Sequence, residues 1–257
     1  MCVPPISIRP STAAGNKRAM EQLTFELAPP EAPSFANFLP GSNEESVAML
    51  ARLARGEIPE TGVVLWGGPG VGKTHLLRSA LAAARERFPV MYFATPEDVA
   101  DGLPAAGLVA GALVAVDQVD SATPPAQGRL FTLYNALKAT GGHLVAASAG
   151  PPARMILRED LRSRLGWGLV FEILPLADEE KPAALATYAQ ARGFRLSDDV
   201  IAYLLAHGRR DMATLLATLA ALDRHSLATK RPITVPLVKA WLQHRLELGV
   251  RMDDAAP

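Results

Sequence analysis

Eight consecutive residues constrain this chain more than any others: Gly67-Gly68-Pro69-Gly70-Val71-Gly72-Lys73-Thr74. They fit the pattern G-x-x-x-x-G-K-[ST]. They follow the apolar run Val63-Val64-Leu65-Trp66 and open a helical pattern, His75-Leu76-Leu77. The glycines let the backbone curl until its N–H groups converge on an anion, and the helix N-terminus adds positive potential. The strand–loop–helix context separates this segment from a glycine-rich turn with a chance lysine. In this reading Lys73 bridges the β- and γ-phosphates of a nucleotide and the Thr74 hydroxyl ligates Mg²⁺. The expected cofactors are ADP or ATP with Mg²⁺.

Around the loop, short β-type runs alternate with helical ones. Strands are predicted at Gly62–Trp66, Val90–Ala94, Ala112–Val116, His143–Ala147 and Leu169–Ile173. Helices are predicted near 72–87, 125–139 and 153–164, with a short one near 96–103 and an earlier one capped by Ser42 and ending near Gly56. Strands separated by helices imply βαβ units and a parallel sheet covered on both faces. The pattern changes at Leu174-Pro175. Beyond it only helices are predicted, near 178–191, 197–206, 211–227 and 235–248, with Asp178 and Ser197 as N-caps and Gly193 and Gly208 as stops. The expected fold is therefore an α/β phosphate-loop core with a parallel five-stranded sheet, followed by a small all-helical lid. The expected boundaries are a disordered leader and tail at 1–33, the core at 34–174 and the lid at 175–257.

Composition narrows the function classes. The 257 residues carry 26 basic and 26 acidic side chains, so bulk electrostatic coating of nucleic acid is disfavoured. One cysteine, Cys2, excludes an internal disulfide framework and fits a reducing compartment. No apolar run reaches the ~18 residues of a membrane helix, and the first residues lack a signal-peptide core, so the protein is read as cytoplasmic. The five histidines show no metal-ligand spacing.

The run Leu113-Val114-Ala115-Val116-Asp117 supplies the second half of a nucleotide site, a buried strand ending in an acid beside the Mg²⁺. An acid at the next position would polarise the attacking water, but residue 118 is Gln, which cannot accept that proton as a carboxylate does. Asp120 follows two residues later and reads as a loop-capping acid. Ser148, at the end of the fourth strand, is a candidate phosphate contact. The sequence supports nucleotide binding better than autonomous hydrolysis.

From about Gln22 to Leu242 the chain resembles the AAA+ ATPases of the bacterial replication-initiator branch, and within it the regulatory inactivators of the initiator DnaA, the Hda family. The resemblance rests on the loop, the lid and four further segments: Ser34-Phe35-Ala36-Asn37-Phe38, Leu161-Arg162-Ser163-Arg164-Leu165-Gly166-Trp167-Gly168, Asp223-Arg224 and Ile233-Thr234. It implies that Arg164 is an arginine finger inserted into a neighbour's nucleotide site. Read from the residues alone, Arg164 is more readily a surface arginine pairing with Glu159 or Asp160; the Ser-Arg-Leu-Gly-Trp-Gly context of the resemblance reverses that. Gln22-Leu23-Thr24-Phe25-Glu26-Leu27 resembles a sliding-clamp-binding peptide in which Gln22 orients and Leu23, Phe25 and Leu27 anchor; the alternation also suits an edge strand. The initiator's basic DNA-binding domain is not expected in this chain.

The implied partners are DnaA and the β subunit sliding clamp of DNA polymerase III, with homo-oligomers also allowed and no direct sequence-specific DNA binding. The implied function is negative regulation of replication initiation: with the DNA-loaded clamp, the protein stimulates hydrolysis of DnaA-bound ATP. Three positions depart from an active ATPase pattern: Gln118, Ala149 after the fourth strand, and Ala213, where the family carries a lid sensor arginine. Arg209 and Arg210 lie close to that position. The alternatives are a stand-alone AAA+ ATPase such as a helicase-loading factor, or a non-hydrolysing AAA+ scaffold.

Overall fold

The computed structural model describes residues 32–99, 110–209 and 211–247. The peptide at 22–27, most of the short helix expected near 96–103, and Arg210 lie outside the described residues. Five strands, β1 (Gly62–Trp66), β2 (Val90–Phe93), β3 (Leu113–Val116), β4 (His143–Ser148) and β5 (Leu169–Glu172), form one parallel sheet in the order β2-β3-β4-β1-β5. The α-helices of the sheet region are α1 (Glu44–Ala54), α2 (Lys73–Ala84), α3 (Pro124–Thr140) and α4 (Glu159–Gly166). Four more follow: α5 (Lys181–Ala191), α6 (Asp198–His207), α7 (Met212–Thr229) and α8 (Val235–Glu247).

The strand sequences explain the two-sided burial. Side chains alternate between the faces of a sheet, and a strand covered on both sides must be apolar throughout. Val64, Val114, Val116, Leu144 and Ala146 face one core, with Leu130, Leu133 and Leu137 of α3 and Leu161 and Leu165 of α4. Val63, Leu65, Leu113, Ala115, Val145 and Ala147 face the other, with Leu50 and Leu53 of α1 and Leu76, Leu77 and Ala80 of α2. A third core, separate in sequence, joins the later helices through Leu185, Val200, Leu204, Leu215, Leu219, Leu222 and Val238. Asp223 is buried there and pairs with Arg192 at 3.3 Å.

Three local expectations need correction. The first helix is capped by Asn43 and not Ser42, which sits inside a 3₁₀ turn (Gly41–Asn43). The Asn43 side chain is drawn away from capping: its amide donates to the Leu174 carbonyl at 2.9 Å and its oxygen accepts from the Leu174 N–H at 2.8 Å. The helix predicted near 153–164 is instead a 3₁₀ turn (Pro152–Arg154) and α4, because Met155 and Arg158 take extended backbone between them. Asp178 does not cap α5, which begins three residues later; its carboxylate pairs at 2.6 Å with the buried Lys181.

Gly168 enters β5 against the first residue of β1. A Cβ there would lie 1.9 Å from the Gly62 carbonyl oxygen, which belongs to the backbone and cannot rotate away. Gly168→Ala is expected to lower stability by about 3 kcal/mol, the upper end of ordinary overpacking costs. Gly150→Ala, where a Cβ meets open space, is expected to be near neutral. Urea unfolding of the two variants checks the contrast.

Candidate nucleotide site

Register gathers the site. In the parallel sheet Trp66 stands opposite Ser148 and Val116 opposite Ala146, so β1, β3 and β4 all end at one edge. The Gly67 N–H extends the ladder by donating to the Ser148 carbonyl at 3.3 Å. The segment 67–74, Asp117 and Ser148 therefore meet at the carboxyl edge of the sheet, the usual place for a ligand in an open α/β fold.

Within the loop, Gly72 has φ +99°, and a Cβ on it would come within 2.7 Å of the Phe38 ring. Only glycine relieves both constraints. Phe38 also packs against His75 with ring centroids 5.5 Å apart, and the His75 ring nitrogen Nε2 lies 3.1 Å from the Ser34 carbonyl oxygen. The 34–38 segment is thus fastened to the first turn of α2, directly behind the loop.

Lys73 folds back onto the loop, donating from Nζ to the carbonyls of Gly67 at 2.8 Å and Gly68 at 2.7 Å. Burial lowers its pKa below the usual lysine value, while the Asp117 and Asp120 carboxylates oppose that shift. The Thr74 hydroxyl donates to Asp117 Oδ2 at 2.5 Å, and the Tyr92 hydroxyl donates to the same oxygen at 3.5 Å. Burial is the first cause that raises the Tyr92 pKa, and Asp117 adds to it. A hydroxyl and a carboxylate held together are the hard oxygen donors that Mg²⁺ takes. The loop's converging amides, its lysine and this oxygen pair fit a nucleotide phosphate chain with a divalent cation. Among the described residues no group of three or more His, Cys, Asp or Glu could hold a metal ion by itself.

The neighbouring positions are arranged differently from one another. Gln118 adopts a left-handed conformation (φ 54°) and is exposed, with its side-chain amide 3.5 Å from the Ala94 carbonyl. Asp120 accepts a hydrogen bond from the Ala149 N–H at 3.1 Å, joining the segments after β3 and β4. Ser148 is buried and its hydroxyl donates to the Gly150 carbonyl at 2.8 Å.

From the helical region, Asp211 meets the loop: a Cβ on Gly70 would lie 3.1 Å from Asp211 Cβ. Asp211 caps α7 through the Thr214 N–H at 2.9 Å and pairs with Arg209 at 3.5 Å. The sequence reading does not single out Tyr92 or Asp211. Nothing in sequence spacing announces either contact, although an Asp three residues before Thr214 is a recognisable cap signal.

Arg164 lies on α4, away from the loop in sequence. Its helix neighbours are paired at the surface: Arg162 with Glu159 at 3.0 Å and Arg158 with Asp160 at 2.7 Å. Those pairs use both carboxylates that local pairing would offer Arg164. No ion pair to Arg164 occurs among the described residues. Its guanidinium carbon instead lies 4.3 Å from the Trp167 ring centroid and 5.7 Å from that of Phe131.

Residues 178–242 match the family model for the Hda lid domain. The fold is that of the AAA+ proteins related to DnaA. Domain III of DnaA from Thermotoga maritima superposes with a TM-score of 0.71 at 22% identity, covering 83% of this chain and 97% of that one. AMPPCP-bound DnaA from Aquifex aeolicus gives 0.63 at 20% identity, covering 75% and 65%. The RuvB Holliday junction branch migration motor of Thermotoga maritima gives 0.58 at 19%, covering 81% and 70%. At these identities the likenesses establish the fold alone, an α/β core with a five-stranded parallel sheet followed by a helical region. Among the described residues no helix is long and apolar enough to cross a membrane.

His75 supplies a pH test of the packing behind the loop. Burial, opposed by the Ser34 hydrogen bond, lowers its pKa below the ordinary 6.5. The unfolded chain therefore takes up the proton first, and stability fully present above about pH 6.5 is lost progressively as pH falls below it and through the lower folded pKa. His75→Gln keeps a donor for Ser34 and removes the titration. Its urea midpoint is expected to fall less than that of the parent between pH 7.5 and 5.5.

Proposed function

We infer that this chain, an Hda-like and DnaA-related AAA+ protein, is a nucleotide-binding regulator of replication initiation that acts on ATP held by DnaA. The observation that carries this reading is the state of Arg164. A guanidinium without a carboxylate partner, while Arg162 of the same helix and the capping Arg158 each have one, is left for a phosphate outside the chain.

In its own site, Gly67 to Gly72 with Val71 and Pro69 in the loop would present main-chain amides to the phosphates. Lys73 would exchange its two loop carbonyls for phosphate oxygens, and Thr74 and Asp117 would hold Mg²⁺, with Ser148 fixing the loop by its carbonyl. ADP or ATP with Mg²⁺ would supply the phosphate charge and the divalent cation that these groups would hold. Gln118 offers no carboxylate for water activation, and Ala213 offers the lid no cation, which supports a nucleotide held as a structural cofactor. The chemistry proposed for Arg164 lies on the partner: its charge and its forked donors would stabilise the phosphoryl group leaving DnaA-bound ATP. Where such fingers act in other nucleotidases they raise turnover by roughly 10³- to 10⁵-fold.

The tail segment Gln22, Leu23, Phe25 and Leu27 is proposed as the tether to the sliding clamp. Tethering raises the effective concentration of the core near DNA, so weak contact with DnaA suffices. A neutral chain then reaches DNA through the clamp. A second reading, a stand-alone ATPase, draws support from Asp120, whose carboxylate bonds to the Ala149 N–H and acts on Lys73.

Measuring ATP turnover with the protein, DnaA, clamp and DNA in all combinations separates the readings. Arg164→Ala is expected to reduce DnaA turnover to its unstimulated rate while leaving clamp retention unchanged. Gln22→Ala with Leu23→Ala is expected to abolish clamp pull-down while nucleotide binding persists. Appreciable turnover by the protein alone, lost in Asp120→Asn, would establish the second reading instead.

A further inference from the structure

Trp167 is an unusual residue to leave in solvent. It is 62% exposed at the C-cap of α4, so hydrophobic burial does not account for its position. Its contacts are cations: Arg164 at 4.3 Å from the ring centroid and Lys138 of α3 at 5.5 Å. The face of an indole attracts cations through its quadrupole, and the planar guanidinium also stacks on it. Phe131 adds a second ring to the same arginine, and Arg164 acts electrostatically on Tyr134, one turn further along α3. Arg164 thus leaves α4 into an aromatic setting made by α3 and its own helix cap.

The manner of holding matters as much as the holding. Arg164 Nε is buried and meets no hydrogen-bond acceptor among the described residues. Stacking restrains a long side chain with several free torsions without occupying its N–H donors. An ion pair would restrain it too, but the pair would have to break before the donors could reach a phosphate. An unmet buried donor is also disfavoured, which offsets part of the cost of moving that group to an acceptor.

We propose that Trp167 is a positioning residue for Arg164, a cation–π clamp that holds the guanidinium with its N–H donors unoccupied before the partner's phosphate arrives. The proposal rests on the reading of Arg164 as acting in trans. Lys138 makes the clamp partly electropositive and so favours release of Arg164 toward an anion. The expected gain from holding is modest, about two- to five-fold, the range of an exposed cation–π contact.

Two measurements test it. The first uses the free protein. Tryptophan emission is compared in a cycle of parent, Arg164→Ala, Trp167→Tyr and the double variant. Removing Arg164 is expected to shift emission when Trp167 is present and to leave it unchanged when Trp167 is replaced, although Trp66 and Trp241 remain. Equal shifts in both backgrounds overturn the clamp.

The second titrates the protein against ATP-bound DnaA with clamp and DNA. Trp167→Leu is expected to lower the maximal stimulated rate two- to five-fold with the half-saturating concentration unchanged, and Trp167→Tyr to restore most of it. A raised half-saturating concentration with an unchanged maximal rate would make Trp167 a docking anchor and overturn the proposal, as would a parental rate and midpoint. Should Arg164→Ala itself leave stimulation intact, the trans-acting reading fails and the proposal with it. Loss of stimulation in Arg164→Ala beside a fully active Trp167→Leu overturns the clamp alone.

Discussion

Everything at the site hangs on the parallel pairing of β1 with β4. That register sets Trp66 opposite Ser148, and the next amide, Gly67 N–H, closes on the Ser148 carbonyl. The loop therefore begins at a fixed height above the sheet. Because β3 pairs with β4 in the same direction, Asp117 arrives at that height as well, within hydrogen-bonding distance of Thr74. A slip of one residue would turn every strand side chain to the opposite core and move the carboxylate off the loop. The two apolar cores that fix the register are thus also what builds the oxygen pair.

Charge is placed with similar economy around this edge. Lys73 sits between its own loop carbonyls and two carboxylates, Asp117 and Asp120. Asp211 brings a third carboxylate to the loop from the helical region, partly balanced by Arg209. The helical region thus meets the loop with an acid. The contrast with α4 is informative. There two arginines end in exposed local pairs of small energetic value, and Arg164 alone is turned onto rings.

The fold was largely legible because its signals are local. Apolar runs of four to six residues marked the strands, and Pro175 marked the change to helices. Helix ends were less legible. Ser42 and Asn43 are comparable capping residues, yet Asn43 occupies the cap, and its amide is claimed by Leu174 from 131 residues away. Asp178 looked like a cap until Lys181, buried in the fold, took its carboxylate. Leu174 is a tertiary partner that no window along the chain can register, whereas Lys181 is a near neighbour of Asp178 whose burial depends on the fold.

The sequence by itself determined that the chain would make a strand–loop–helix turn at 67–74, end a buried strand before Asp117 and change from alternating strands and helices to helices alone past 174–175, since each depends on neighbours in the chain. Resemblance added the significance of Arg164, but the arginine's partner was undecidable between Glu159, Asp160 and none. Local pairing takes both acids, with Arg162 and Arg158, and the tertiary structure adds the approach of Phe131 of α3 to the guanidinium that Trp167 also faces. It likewise placed Tyr92 on Asp117 and Asp211 on Gly70. These are contacts between groups far apart in sequence, created when strands align and helices pack, and their energies exist only once the chain has closed those loops.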